Sequence, residues 1–171
     1  MISSKKREEI EGIFQIFESK LDESSIIIEK EPIKVFIGHG HDEQWRDLKD
    51  HLHEKHGFEV IAYEVGPRAG LSIKEVLESM LNKSSLALLV LTGEDTDSKG
   101  YKHARENVIH ELGLFQGKMG FMRAIAMLEG DVIEFSNILG INQIRFSKGN
   151  IKETFGEVIS IIKREFGNDN N

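Results

Sequence analysis

Residues 86–91 read LALLVL, an unbroken run of six apolar side chains. A strand with one face in solvent alternates apolar and polar residues, whereas a strand covered on both faces stays apolar throughout. The run therefore predicts a central strand of a parallel sheet that is packed between two layers of helices.

The segment that follows this strand carries the most informative helical pattern. After a polar loop, TGEDTDSKG, residues 103–120 read HARENVIHELGLFQGKMG. Four apolar residues form one stripe at helical spacing: Val108, Leu112, Phe115 and Met119. At about 100° per residue, Glu111 lies roughly 60° from the middle of that stripe and Asn107 a little further round. This angle is typical of a glutamate that ends a buried face, and also of a glutamate at the edge of a cleft.

Further strands and helices alternate on both sides of this unit. Asp42 is the expected N-cap of one helix, and Ser72 with Glu75 forms the capping box of the next. The other predicted strands cover residues 34–38, 58–63, 122–128 and 143–146, and a closing helix covers residues 151–166. In chain order, residues 34–38 are strand 1, residues 58–63 are strand 2 and residues 86–91 are strand 3. Five strands alternating with helices predict an α/β fold: a flavodoxin-like parallel sheet of order 2-1-3-4-5 with helices on both faces.

The N-terminal segment lies outside that repeat. Residues 4–21 predict an amphipathic helix, and its apolar face consists of Ile10, Ile13, Phe14, Phe17 and Leu21. This face either packs on its own domain or pairs with another subunit. We therefore divide the chain into a helix and connector at residues 1–32, an α/β domain at 33–166 and a frayed tail at 167–171.

Composition excludes several classes of function. The chain of 171 residues has a formal net charge of −7 and no basic run, which argues against nucleic acid as a partner. It has no cysteine, so disulfides and thiolate chemistry are excluded, and a reducing cytoplasm is the expected location. No apolar run reaches about 18 residues, so we expect no association with a membrane.

The predicted topology locates a ligand site. In such sheets ligands bind beyond the carboxyl ends of the strands, where strands 1 and 3 diverge. This rule brings together the turn GHGHD at residues 38–42, the loop EVGPRAG at 64–70 and the helix that carries Glu111. Gly38 and Gly40 permit close approach of the backbone to a ligand, and His39 and His41 lie in the same turn.

Known phosphate-binding motifs fit this turn poorly. A Rossmann site needs a third glycine where this chain has Glu43, and Asp42 and Glu43 would oppose a pyrophosphate at the helix N-terminus. No lysine of a P-loop follows. Glu64 at the end of strand 2 is the one further feature that matches a dinucleotide site.

Metal and phosphoacceptor sites are also disfavoured. The histidines at 39, 41, 103 and 110 include no His-x-x-x-His pair with a nearby acid, so we expect no metal site. Asp95 follows strand 3 like the phosphoacceptor of a receiver domain, but strand 1 ends without the paired acids that would hold magnesium.

Three motifs occur in an order that resembles a known family. The runs VFIGHGHD at residues 35–42, GLSI at 70–73 and ARENVIHELG at 104–113 resemble the bacterial TIR-like proteins described as predicted nucleotide-binding proteins, which act as effectors in cyclic-nucleotide-signalled antiphage defence. The resemblance covers about residues 33–147. Typical members have aromatic residues where this chain has His110 and Leu114, so the pocket wall differs.

The resemblance implies NAD⁺ glycohydrolase activity, with NAD⁺ as substrate and no bound cofactor. It also implies assembly into a homo-oligomer and a separate sensor or activating partner. Glu111 corresponds to the catalytic glutamate of TIR enzymes. Asn107 would bind a ribose hydroxyl or orient Glu111, and Arg68 would contact a phosphate.

Two other functions stay open at this point. One is a non-enzymatic TIR-like module, in which Glu111 is structural and the N-terminal helix recruits a partner. The other is an enzyme like the nucleoside deoxyribosyltransferases, which share the topology and form a covalent intermediate on a glutamate.

Overall fold

The computed structural model describes residues 6, 10–13, 15, 32–64, 70–135, 138 and 143–167. The chain divides into two compact units, Met1–Glu31 and Pro32–Asn171. In the first unit residues 10–13 are helical, and Ile10 and Ile13 are 51% and 60% exposed. Phe14, Phe17, Leu21 and the loop residue Arg68, for which roles were predicted, lie outside the described residues, as do residues 168–171 of the predicted tail.

The second unit is built on a parallel sheet of five strands. These strands are β1 (Lys34–His39), β2 (Glu59–Ala62), β3 (Leu86–Leu91), β6 (Ala124–Glu129) and β7 (Gln143–Phe146). The short strands β4 (Asp95–Thr96) and β5 (Lys102–His103), which lie between β3 and β6 in the chain, form a separate hairpin described below. Their spatial order is β2-β1-β3-β6-β7, and every neighbouring pair is parallel. This arrangement is the predicted order 2-1-3-4-5, so the flavodoxin-like α/β fold is confirmed.

Helices cover both faces of this sheet. They are α1 (Gln44–Asp50), which continues as a π-helix at His51–Lys55, α2 (Ile73–Lys83), α3 (Glu106–Met119) and α4 (Phe155–Phe166), which follows a 3₁₀ turn at Ile151–Thr154. One core lies under α1 and α4, and a second core lies under α2 and α3. Successive side chains of β3 alternate between the two cores. The run LALLVL is apolar throughout because both of its faces are buried.

The helix boundaries follow local hydrogen bonds. The capping box is present: the Ser72 hydroxyl accepts from the amide of Glu75, and the Glu75 carboxylate accepts from the amide of Ser72. The prediction of Asp42 as an N-cap is wrong, because α1 begins at Gln44 with Glu43 as its N-cap. Asp42 instead accepts from the amide of Gln44 at 2.9 Å, which closes a tight turn ahead of the helix.

The loop after β3 contains structure that its polar composition did not predict. Two short antiparallel strands, β4 (Asp95–Thr96) and β5 (Lys102–His103), pair within it. Asp97 stabilises this hairpin by accepting hydrogen bonds from the amides of Lys99 and Tyr101. The predicted helix at 103–120 therefore begins later, at Glu106. None of the helices among the described residues is long and apolar enough to cross a membrane.

Candidate active site

A cleft of about 980 Å³ opens at the carboxyl ends of β1 and β2, beside α2 and α3. Its wall brings together six of the seven predicted site residues: Gly38, His39, Gly40, His41, Asn107 and Glu111. The rest of the wall consists of Ile37, Tyr63, Glu64, Ile73, Lys74, Leu77, Glu78, Leu81, Arg105, Val108, His110 and Leu114. Three of the six aliphatic members come from α2, so the side of the cleft formed by this helix is apolar and the turn side is polar.

Glu111 projects from α3 towards the end of β1. A Cβ atom at Gly38 would lie 2.9 Å from Oε2 of Glu111 and 2.2 Å from Cδ1 of Leu89. A side chain at position 38 would have to displace this carboxylate or the core leucine, so the glycine lets the two approach the end of β1. Gly38 of β1 is paired with Leu89 of β3, and this register fixes the short distance between the glycine and the leucine.

The Glu111 carboxylate is half-buried and has neither a hydrogen-bond donor nor a cation as partner among the described residues. Burial alone raises its pKa to about 7. At neutral pH the group is thus divided between its protonated and ionised forms. A positive charge that entered the cleft would shift it towards the carboxylate.

His39 has a structural environment at the end of β1. Its ring stacks on Trp45 with a centroid distance of 3.9 Å, and Nδ1 lies 2.7 Å from the carbonyl oxygen of Gly40. Burial lowers the pKa of His39, which favours the neutral ring. A neutral ring donates from Nδ1 to the carbonyl, so packing and this bond orient the turn.

Glu94, which the sequence reasoning missed, holds the same turn from the opposite side. Its Oε1 accepts hydrogen bonds from the amides of His41 at 2.8 Å and Asp42 at 3.2 Å, and from the Thr92 hydroxyl at 2.9 Å. A Cβ atom at Gly40 would lie only 1.9 Å from this oxygen. Burial opposes ionisation of Glu94, but these hydrogen bonds outweigh it and hold its pKa below the ordinary value.

The glycine pattern of the turn therefore has a different cause from that of a dinucleotide fingerprint. At Gly40 the close approach is to the side chain of Glu94, and two amides that would bind a phosphate already bind a carboxylate. A signal was present in the sequence: an acid three residues beyond a buried strand lies at the same sheet edge as the turn.

Arg105 is a second cleft residue that the sequence reasoning left without a role. It is the N-cap of α3, and its Nη1 contacts both ring nitrogens of His41, with Nδ1 at 2.9 Å. The same Nδ1 lies 3.7 Å from Oε2 of Glu94. Glu94, His41 and Arg105 thus form a continuous row of contacts across the turn.

Glu129 connects the loops behind the cleft. It is buried at the end of β6 and accepts hydrogen bonds from the Gln44 side chain at 3.0 Å and from the amides of Gly93 and Gly149. These bonds tie α1 to the loops after β3 and β7. Within the part of the chain that the structure describes, no group of three or more histidine, aspartate or glutamate residues could hold a metal ion.

A parallel sheet of this order, with a glutamate of α3 directed at the end of β1, is the arrangement expected of a TIR-like domain. Residues 34–148 match the family described as "CAP12/Pycsar effector protein, TIR domain". The match covers well over half of the chain, so the protein belongs to this family of bacterial antiphage-defence effectors.

A curated relative comes from Escherichia coli (strain K12) and is described as uncharacterized protein YuaY. It is 30% identical over 113 residues, which cover 63% of this chain and 38% of that protein. The chain thus spans less than half the length of this relative. This similarity carries no statement about activity.

Proposed function

We propose that the protein is an NAD⁺ glycohydrolase, which cleaves the bond between nicotinamide and ribose and acts as a defence effector once it has assembled. The observation that carries this proposal is the Glu111 carboxylate, half-buried in the cleft against Gly38 without a partner among the described residues. In a TIR domain of the antiphage effector family, such a group suits a substrate that carries a positive charge.

The chemistry requires little acid catalysis. When the C1′–N bond breaks, its electron pair passes to the pyridinium nitrogen, and nicotinamide leaves as a neutral molecule. Positive charge then develops on C1′ and the ring oxygen of the ribose. Water adds to C1′ and releases one proton, which leaves ADP-ribose as the second product.

Glu111 acts on this developing charge. A carboxylate about 4 Å from the cation, at an effective dielectric constant near 20, stabilises it by roughly 4 kcal/mol. That energy corresponds to about a thousandfold in rate. The raised pKa of Glu111 agrees with this role, because the cationic pyridinium ring favours the ionised form when the substrate binds.

Other predicted contacts complete the proposal. Asn107 lies one turn before Glu111 at the cleft and is exposed, so its amide group is free to reach a ribose hydroxyl. Arg68 stays a sequence-based candidate for a phosphate contact. We further propose that the enzyme works in the cytoplasm as a homo-oligomer, with a separate sensor or activating partner.

The test is to incubate concentrated protein with NAD⁺ and separate the products by chromatography. We expect nicotinamide and ADP-ribose, in linear or cyclic form. Glu111→Gln keeps the size of the side chain but removes its charge, and should lower the rate by about two to three orders of magnitude. Glu106→Gln, an exposed glutamate on the same helix, is the matched control and should leave the rate unchanged.

Two outcomes would contradict the proposal. If assembled wild-type protein leaves NAD⁺ intact, the domain is a binding or interaction module instead. If intact-mass measurement detects a ribosyl adduct on Glu111, the reaction is a covalent transfer of the deoxyribosyltransferase kind.

A further inference from the structure

The cleft contains a cation for which neither the family match nor the sequence motifs supply a role. Arg105 lines the cleft and is half-buried. Among the described residues, no carboxylate lies within ion-pair distance of its guanidinium group, which contacts the ring of His41. A charged group in a cleft without a counter-ion favours binding of an anion from solution.

Arg105 is better suited to an anion than Lys74, the other lysine or arginine among the described residues of the cleft wall. Lys74, at the start of α2, is exposed and gives up more hydration and side-chain freedom on binding. The planar guanidinium of Arg105 offers two parallel donors, which match the oxygens of a phosphate. It also stands at the N-terminus of α3, which has no side-chain cap and whose helix dipole favours negative charge.

Contacts within the turn hold this cation in place. Glu94 binds the backbone of His41, and the ring of His41 lies against Arg105. The three hydrogen bonds of Glu94 all fall on Oε1, and its Oε2 lies 3.7 Å from Nδ1 of His41 and forms no ion pair with the guanidinium. Arg105 is thus positioned before any ligand arrives, which reduces the entropy lost on binding.

The spacing along α3 relates Arg105 to the reacting bond. Glu111 follows Arg105 by six residues, a rise of about 9 Å along a helix. If the anomeric carbon lies at Glu111, the 5′ side of the ribose points away from the reacting bond. A separation of this size lets the phosphate on that side reach the N-terminus of α3.

We infer that Arg105 binds the phosphate attached to the ribose that is cleaved, so that the cleft selects phosphorylated nicotinamide compounds over the nucleoside. This inference rests on the proposed function, because it takes Glu111 as the position of the anomeric carbon. It assigns selectivity for the phosphate to the N-cap residue of α3.

The experiment measures binding without turnover. In a Glu111→Gln background, calorimetry compares the affinities of NAD⁺ and of nicotinamide riboside, which has the same glycosidic bond but no phosphate. Adding Arg105→Ala should weaken NAD⁺ binding by about 10- to 100-fold and change riboside binding by less than about twofold. Arg105→Lys, which keeps the charge but not the fork, should give an intermediate loss.

Arg123→Ala is the matched control, because it removes the same charge from the turn before β6, at the opposite end of the strands. It should leave both affinities unchanged. The inference is overturned if Arg105→Ala weakens both ligands equally, if it affects neither, or if the parent protein does not bind NAD⁺. If NAD⁺ binds through Arg105 but wild-type protein does not cleave it, the proposed function fails and the binding role stands.

Discussion

Two glutamates of the cleft region show how surroundings decide the behaviour of one side-chain type. Glu94 accepts hydrogen bonds from two amides and a hydroxyl, and its pKa is lowered despite burial. Glu111 is buried without such donors among the described residues, and its pKa is raised to about 7. Ionised Glu94 is stabilised by its neighbours, whereas ionised Glu111 lacks stabilisation until a cation approaches.

This difference predicts a pH-dependent effect of Glu111→Gln on stability. Folding raises the pKa of Glu111 from 4.5 to about 7. The protonated side chain therefore makes its full contribution to stability below the pKa of the unfolded chain, and this contribution is lost as the pH rises through the pKa of the folded protein. The variant does not ionise, so its free energy of unfolding relative to wild type should increase between about pH 5 and pH 8, by up to roughly 3 kcal/mol. Urea unfolding at both pH values measures this difference.

Glu106→Gln serves again as the control, since that residue is exposed on the same helix. It should show no increase with pH. A Glu111→Gln effect of equal size at both pH values would mean that the carboxylate titrates normally in the folded protein.

At the scale of elements, carboxylates at strand ends connect loops that are distant in sequence. Glu94 joins the loop after β3 to the turn after β1, and Glu129 joins the end of β6 to α1 and to the loop after β7. The cleft turn is therefore held by side chains from neighbouring strands as well as by its own residues. Its conformation depends on the loop after β3.

Glu94→Ala should accordingly destabilise the domain, because the amides of His41 and Asp42 lose their acceptor. We expect a loss of about 1 kcal/mol in the free energy of unfolding, since water replaces part of the lost bonding at this partly exposed turn. The variant should show this full loss of stability at any pH above the pKa that Glu94 has in the unfolded chain. The loss should diminish as the pH falls through the lower pKa of Glu94 in the folded protein.

Denaturant titration at neutral and acidic pH measures this effect. Asp95→Ala, which removes the same charge from the adjacent exposed residue, is the control and should have little influence on stability. Equal stability of the Glu94 and Asp95 variants at neutral pH would show that the turn does not depend on this carboxylate.

At the scale of the whole molecule, the N-terminal unit is distinct from the TIR domain. The family match begins at residue 34, and the first compact unit ends at Glu31. Ile10 and Ile13 are exposed on its helical segment, on the face predicted to mediate assembly. Burial of a large apolar side chain contributes about 1.5–3 kcal/mol, so a few such residues suffice to support association.

Replacing both Ile10 and Ile13 with serine should reduce the molar mass measured by light scattering on a gel-filtration column. The reason is that two exposed apolar contacts are removed from the predicted interface. Phe121→Ser, which removes an exposed aromatic residue from the turn after α3, should leave the mass unchanged. An unchanged mass together with a lower melting temperature in the double variant would show that the helix packs within its own chain.

Local sequence patterns account for the five strands of the main sheet, their order and the position of Glu111 at the edge of a buried face. These features depend on local periodicity: the apolar run of β3, the capping box at Ser72 and the angle of about 100° per residue on α3. They could be read because each depends on residues within one or two turns, or on general rules of α/β connections.

The partners of Glu94 and Arg105 and the protonation behaviour of Glu111 follow from the packed fold and not from local patterns. Glu94 bonds to an amide 53 residues away, and Arg105 contacts a ring 64 residues away. Such contacts depend on strand register and on the paths of loops, which local patterns do not encode. The raised pKa of Glu111 likewise results from burial of its carboxyl group, because desolvation is a property of the packed neighbourhood and not of the residue.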